Sequence, residues 1–222
     1  MNIRRQTAIL LRRELRSELR AGEVSLVAIP FGAIAMLLVP MAVGTDTPLL
    51  VRIGPGIFWS VVLLFGVVVT QRQTADVGGP QLDLLRLLGV DPAARFAATA
   101  LAGAALLLAF ELVVGLVTVV LYDPALDDPI WLAAILPAAA FGLAVVGTLA
   151  GNIAAGVGTR VTLAPLLVAP LAIPILLGAA QATEGLRLGE SILAWLLLLV
   201  ITDLVLAAAG VLTARPLEEA AP

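Results

Sequence analysis

Residues Phe96 to Leu121 read FAATALAGAALLLAFELVVGLVTVVL, and a single ionisable side chain, Glu111, interrupts the run. As an α-helix the stretch would be about 39 Å long at 1.5 Å per residue, more than the roughly 30 Å hydrocarbon core of a bilayer. It therefore reads as a transmembrane helix. Working outward, five further runs have the same character: Val24 to Val43, Ile53 to Thr70, Ile130 to Val157, Val161 to Ala182 and Ser191 to Thr213. In hydrocarbon every backbone amide and carbonyl must be satisfied within its own segment or in a closed barrel. None of the runs shows strand-like alternation, so the pattern reads as a helical bundle and not as a barrel. The expectation is an all-α integral membrane protein with six transmembrane helices, one transmembrane domain over residues 1–222.

Composition agrees with this reading. Of the 222 residues, 61% are hydrophobic and only 13% charged, against about 45–50% and 25% in ordinary soluble domains. The chain has no cysteine, no histidine and no lysine. Disulfides, thiolate or imidazole metal ligands, histidine general bases and histidine ligation of a haem within this chain are thereby excluded. No metal site and no nucleic-acid partner is expected. No serine has an evident base and no pair of aspartates forms a recognisable motif, so an intramembrane enzyme is set aside and no catalytic residue is assigned.

The arginines set an expected orientation. Arg4, Arg5, Arg12, Arg13, Arg16 and Arg20 precede the first span, Arg72, Arg86 and Arg95 flank the second loop, and Arg160 and Arg215 follow later spans on the same side. The opposite loops hold Asp46, Asp123, Asp127, Asp128, Glu184 and Glu190, with only Arg52 and Arg187. By the positive-inside rule both termini should be cytoplasmic. The apolar run after the first arginines is longer than a signal-peptide core and the segment contains Glu14, Glu18 and Glu23, so it reads as retained. Residues 1–23 predict an amphipathic cytoplasmic helix, with Ala8, Leu11, Leu15 and Leu19 on one side and arginines on another. Such a helix serves either as a membrane anchor or as a lever into the first span.

Between the second and third runs lies GGPQLDLLRLLGVDP, Gly78 to Pro92. Gly79 suits a helix N-cap, Pro80 the first helical position and Gly89 the stop, while Pro92 ends the element. Leu82, Leu85 and Leu88 are expected on one face, with Asp83 and Arg86 on the other. That apolar face needs a surface: lipid headgroups, the protein's own helix ends, or a groove in a separate ATPase, for which the loop would act as a coupling helix. No G-x-x-x-x-G-K-[ST] phosphate loop occurs, so any ATPase is another chain.

At this point the chain resembles the ABC-2-type (type V) exporter permeases, and within them the haem exporter B (CcmB) family of cytochrome c maturation. The resemblance is carried by LLRRELRSELR (Leu10 to Arg20), IGPGIFWSVVLL (Ile53 to Leu64), the Gly78 to Pro92 loop, and APLLVAPLAIPILLGAA (Ala164 to Ala180). Its more specific parts are the G-x-x-W at Gly56 and Trp59 and the proline-rich fifth span. The loop departs from the family's pattern in having Leu82-Asp83 for a leucine-glutamate pair and in carrying Pro80. The resemblance implies a bacterial cytoplasmic-membrane complex in which this permease, in two copies, joins a CcmA-like ABC ATPase, a CcmC-like haem-handling subunit and a small CcmD-like subunit. A CcmE-like haem chaperone is released on the outer face. ATP would be bound by the ATPase and haem handled by the complex, with no cofactor bound by this chain. It also implies that Gly78, Gly79, Leu82, Asp83, Leu85, Arg86 and Leu88 form the ATPase-coupling loop. Other readings are a generic ABC-2 exporter for lipid or drug-like substrates and a proton-coupled carrier.

Several residues within the spans are candidates. Pro165, Pro170 and Pro174 each remove a backbone donor and kink the fifth span, either for packing or as a hinge. Gly147 and Gly151 form a G-x-x-x-G suited to close helix packing, within the subunit or across a homodimer. Glu111 and Asp203 are the carboxylates deep within runs, serving structural hydrogen bonds or a proton path. Trp59, Trp131 and Trp195 all fall near predicted outer span ends, as an aromatic belt would place them.

Overall fold

The computed structural model describes residues 2–22, 24–44, 46–75, 84–85, 87–126, 128–156 and 160–220, and among these there is no strand. Helix α1 (Ile3–Ala21) ends at Gly22, whose φ of 67° lies in the left-handed region open to glycine and whose amide donates to the Glu18 carbonyl. One π-helical turn, Val24–Ala28, leads into α2 (Ile29–Val43). Then follow α3 (Thr47–Ala75), α4 (Pro92–Tyr122), α5 (Leu132–Gly156), α6 (Arg160–Leu188) and α7 (Leu193–Ala220). A 3-10 turn, Pro129–Trp131, opens α5. The six helices α2 to α7 are long and apolar enough to cross a membrane, and the chain is a multi-pass integral membrane protein.

The helices outrun the charge-free runs. Helix α4 begins at Pro92 because Asp91 caps it, its carboxylate accepting from the Ala93 amide at 2.9 Å, and proline at the first position loses no bond there. Asp46 does the same for α3, accepting from the Leu49 amide at 3.2 Å. Helix α5 is central: it packs against α3, α4, α6 and α7, and its residues from Gly142 to Ala150 are buried without a break. Gly147 lies within that buried stretch and Gly151 is half-buried. Helices α2 and α7 carry exposed leucines and valines such as Leu38, Leu204 and Leu212 toward lipid.

Lipid is as apolar as leucine, so burial alone does little for a bundle of this kind, and contact distance and hydrogen bonds decide its stability. Aromatic rings therefore seat on glycines. The Phe110 ring lies where a methyl on Gly32 would come within 2.6 Å of it, and the Phe96 ring occupies the equivalent space over Gly210. Pro40 produces a further tie. Lacking an N–H, it leaves the Met36 carbonyl four residues earlier without its helical donor. The Tyr122 hydroxyl, buried at the end of α4, donates to that carbonyl at 2.8 Å. Tyr122→Phe should cost about 1–3 kcal/mol, because the carbonyl is left buried and unpaired. The check is the thermal unfolding midpoint in detergent; an unchanged midpoint would mean that another donor reaches Met36.

Helix α6 remains one helix through Pro165, Pro170 and Pro174. Pro170 is exposed and Pro174 half-buried, while the Pro165 side chain lies outside what is described.

Candidate functional site

Alternation of the six spans places α1, the α3–α4 connection, and the ends of α5 and α7 at one end of the bundle. There α1 docks on the start of α4. Leu10 packs with Leu85 and Ala98, and the buried Gln6 reaches the loop exit twice. Its amide NH2 donates to the Gly89 carbonyl at 3.5 Å, and its Oε1 accepts from the Asp91 amide at 2.9 Å. The expected surface helix is thus held by protein on its Gln6 and Leu10 side, and Ala8, expected on the apolar face, is exposed. Arg215 of α7 donates to the second Asp91 carboxylate oxygen at 2.7 Å.

The Arg215 hydrogen bond and the Ala93 amide together hold the Asp91 carboxyl below its ordinary value. A depressed folded pKa means that the pair's contribution is complete above the unfolded carboxylate value of about 4 and is lost as pH falls through the lower folded value. Arg215 is largely exposed, so solvent screens the pair and it orients more than it stabilises.

Of the expected coupling loop, Gly78, Gly79, Leu82, Asp83 and Arg86 lie outside the described residues. The described part corrects the expected leucine face. Leu85 is 9% exposed and faces α1 and α4, whereas Leu84, Leu87 and Leu88 are exposed, Leu87 at 86%. Leu85 and Leu88 do not share a surface, because Leu10 and Ala98 fix the phase of the turn through Leu85. Gly89 ends the turn with φ of 68°, the Leu88 amide donating to Leu84 at 3.0 Å and the Val90 amide to Leu85 at 3.1 Å. The outcome is a protein-anchored turn that presents Leu84, Leu87 and Leu88 outward.

A second feature lies within the bundle. A cleft of about 540 Å³ is walled by Pro55, Phe58 and Trp59 of α3, Leu108, Glu111 and Leu112 of α4, Leu136 and Pro137 of α5 and Thr183 of α6. Pro124 and Leu126 of the α4–α5 connection border one end of it. The Trp59 indole N–H donates to Thr183 Oγ1 at 3.1 Å, and its ring stands edge-on to Phe58 with centroids 4.9 Å apart. Trp59 is therefore a buried wall residue rather than a member of an aromatic belt, while Trp131 is exposed and Trp195 half-buried. Gly56, one turn earlier, faces open space. Thr183 and Thr118 donate to their own helix at Ala179 and Val114, both at 2.8 Å. Glu111 is fully buried, and among the described residues neither of its carboxyl oxygens has a partner.

Asp203 is brought into contact with α5 and not with the cleft's lining. Its carboxyl enters the notch left by Gly142 beside Ile175, and its Oδ1 has no partner among the described residues. Gln6, Gly142, Thr183 and Tyr122 are the residues that sequence reasoning missed. A glutamine one turn before Leu10 in an arginine-rich helix was a legible signal for the first of these. The other three depend on pairings between distant segments.

The CcmB protein family model matches residues 5–217, which takes in α1, the loop turn and all six spans. The chain is 31% identical over 185 residues to heme exporter protein B of Bradyrhizobium diazoefficiens, covering 81% of this chain and 82% of that protein. It is 33% identical over 189 residues to heme exporter protein B of Rhodobacter capsulatus, covering 81% and 84% respectively. With a match reaching from the arginine-rich helix to the end of the last span, and two relatives alike over most of their length, the chain belongs to the CcmB protein family.

Proposed function

We propose that this chain is the membrane component of a haem exporter acting in cytochrome c maturation, driven by a separate ABC ATPase that docks on the Gly78 to Pro92 loop. The observation that carries the coupling is the exposed trio Leu84, Leu87 and Leu88 on a turn locked to α1 by Leu85 and Gln6. An apolar patch on a turn anchored to the bundle suits insertion into a partner's groove. The names of the two relatives support haem as cargo. In this reading two copies join a CcmA-like ATPase, CcmC-like and CcmD-like membrane subunits and a CcmE-like haem chaperone in the bacterial cytoplasmic membrane, with both termini cytoplasmic. ATP hydrolysis frees the haem-loaded chaperone. The chain has no histidine or cysteine to ligate haem iron, and a mechanical part in release is favoured over an axial-ligand site.

Affinity purification from native membranes in mild detergent, with mass spectrometry, an ATPase assay and a haem absorption spectrum, tests this. Recovery of an ABC ATPase together with a haem-handling membrane protein is expected. An ATPase alone would reduce the reading to a generic ABC-2 exporter, and a stable preparation without any ATPase would end it.

A second reading, a proton-coupled carrier, is favoured by the buried, unpartnered oxygens of Glu111 and Asp203. Glu111→Gln and Asp203→Asn should leave ATP-dependent haem delivery within about twofold of wild type if the ATPase drives the cycle. Loss of transport in both variants, combined with insensitivity to ATP depletion, would favour the carrier instead.

A further inference from the structure

Glu111 presents a problem that the export reading does not use. A polar group buried in an apolar surround without a hydrogen bond is costly, and buried polar atoms in folded proteins almost always have a partner. Here both carboxyl oxygens lack one among the described residues, and Glu111 is among the residues that border a cleft with room for a ligand. The volume of about 540 Å³ falls within the roughly 300–1,000 Å³ of small-molecule sites.

We propose that this cleft binds a lipophilic molecule bearing a hydroxyl or amine donor, taken from the bilayer, with Glu111 as its polar anchor. The lining defines the ligand. Phe58, Trp59, Leu108 and Leu136 offer aromatic and aliphatic surface, and the hydroxyls of Thr118 and Thr183 already donate to their own helices. One hydrogen-bonding point in an apolar surround selects a molecule that is apolar except for one donor. Among the described residues no arginine and no methionine lines the cleft. An anionic tetrapyrrole would therefore meet a carboxyl where it needs a cation, and haem is not the occupant.

The route of entry is also in the fold. Leu112 and Leu116 on the rim are exposed on a membrane-spanning helix, so the cleft opens toward lipid. Glu111 lies eleven residues before the end of α4, about 16 Å along the axis. The donor must reach that depth, which rules out an ordinary phospholipid whose polar head stays at the interface. Pro124 and Leu126 of the α4–α5 connection also line it.

Trp59 provides the readout. In the full chain carrying Trp131→Phe and Trp195→Phe and reconstituted in nanodiscs, the remaining tryptophan is a cleft wall, and a bromine entering the cleft should quench it. The probes are ω-bromoundecanol, an alkylated bromohydroquinone, and bromoundecane as the donor-free control. Saturable quenching by either donor-bearing probe is expected, with half-saturation about tenfold weaker for bromoundecane and in a Glu111→Leu variant. Whichever of the alcohol and the hydroquinone binds more tightly tells an alkyl amphiphile from a membrane-soluble phenol. Glu111→Leu removes a buried group that has no partner among the described residues, so the variant is expected to keep its fold. Ala133→Phe, which fills the cleft from α5, should abolish quenching and provides an independent second variant. Equal, non-saturating quenching by all three probes means annular lipid access and overturns the proposal. So does absence of quenching, or a photo-crosslinker at Leu116 that captures a partner's membrane segment in the assembled complex.

Discussion

On the proposed coupling role, Leu87→Glu is expected to abolish recovery of the ATPase while leaving the amount and the thermal stability of the purified chain unchanged. The side chain is 86% exposed and touches nothing that holds the bundle together, so a carboxylate there stays hydrated and the fold is indifferent to it. In a complementary apolar groove the same carboxylate must lose its water without gaining a partner. A loss of about 3 kcal/mol or more, over a hundredfold in affinity, is the expected scale for an anchor of this kind. Leu85→Glu makes the contrast. Leu85 sits between Leu10 and Ala98, and its replacement by glutamate should lower the yield of folded protein before any partner is involved. Co-purification and melting curves of the two variants, side by side, separate a docking residue from a mounting residue. Undiminished ATPase recovery with Leu87→Glu and with Leu88→Glu would refute the coupling role of this turn.

Gly142→Val should prevent the bundle from closing. A methyl on Gly142 would overlap the Asp203 carboxyl and come within 2.9 Å of Ile175 Cδ1, so both side chains would have to shift, and the larger valine leaves them little room beside α5. Overpacking of a well-filled contact typically costs about 1–3 kcal/mol, and more where neither neighbour can retreat. Because α5 is the helix that the others share, we expect loss of monodisperse protein on size-exclusion chromatography. Gly56→Ala is the control: an added methyl there meets no atom within 4 Å. A well-behaved Gly142→Val protein would show that Asp203 has a second place to go.

The number and order of the spans were legible because each is a long apolar run, and hydrocarbon allows a chain of this pattern only one kind of secondary structure. The close of the loop was legible as well, since Gly89 and Pro92 behave in the structure as glycine and proline do locally. The phase of the loop turn was not. Leucines occupy Leu84, Leu85, Leu87 and Leu88, so several faces are equally apolar by sequence, and the choice was made by Leu10 some seventy-five residues away. Trp59 was misplaced for a similar reason. Its position near a span end suits an interfacial ring, but Thr183 of another helix offers an acceptor for its indole N–H. Glu111 and Asp203 were identified as buried because charge stands out in hydrocarbon, whereas the notch at Gly142 that receives Asp203 is one glycine among 20 in the sequence.

Asp91 is where the backbone leaves the turn, the cap of α4, the acceptor for Arg215 of α7 and the donor to Gln6 of α1. In mechanical terms it is a yoke pin. If a partner pushes on Leu87, the turn's closure at Gly89 and its bonds at Asp91 lie directly in the line of force. On the proposed coupling role, that push is expected to reach the first and third spans at their starts and the sixth at its end. Paired spin labels on the turn and on α7 should then report one correlated displacement, with Gln6→Ala dividing it into two.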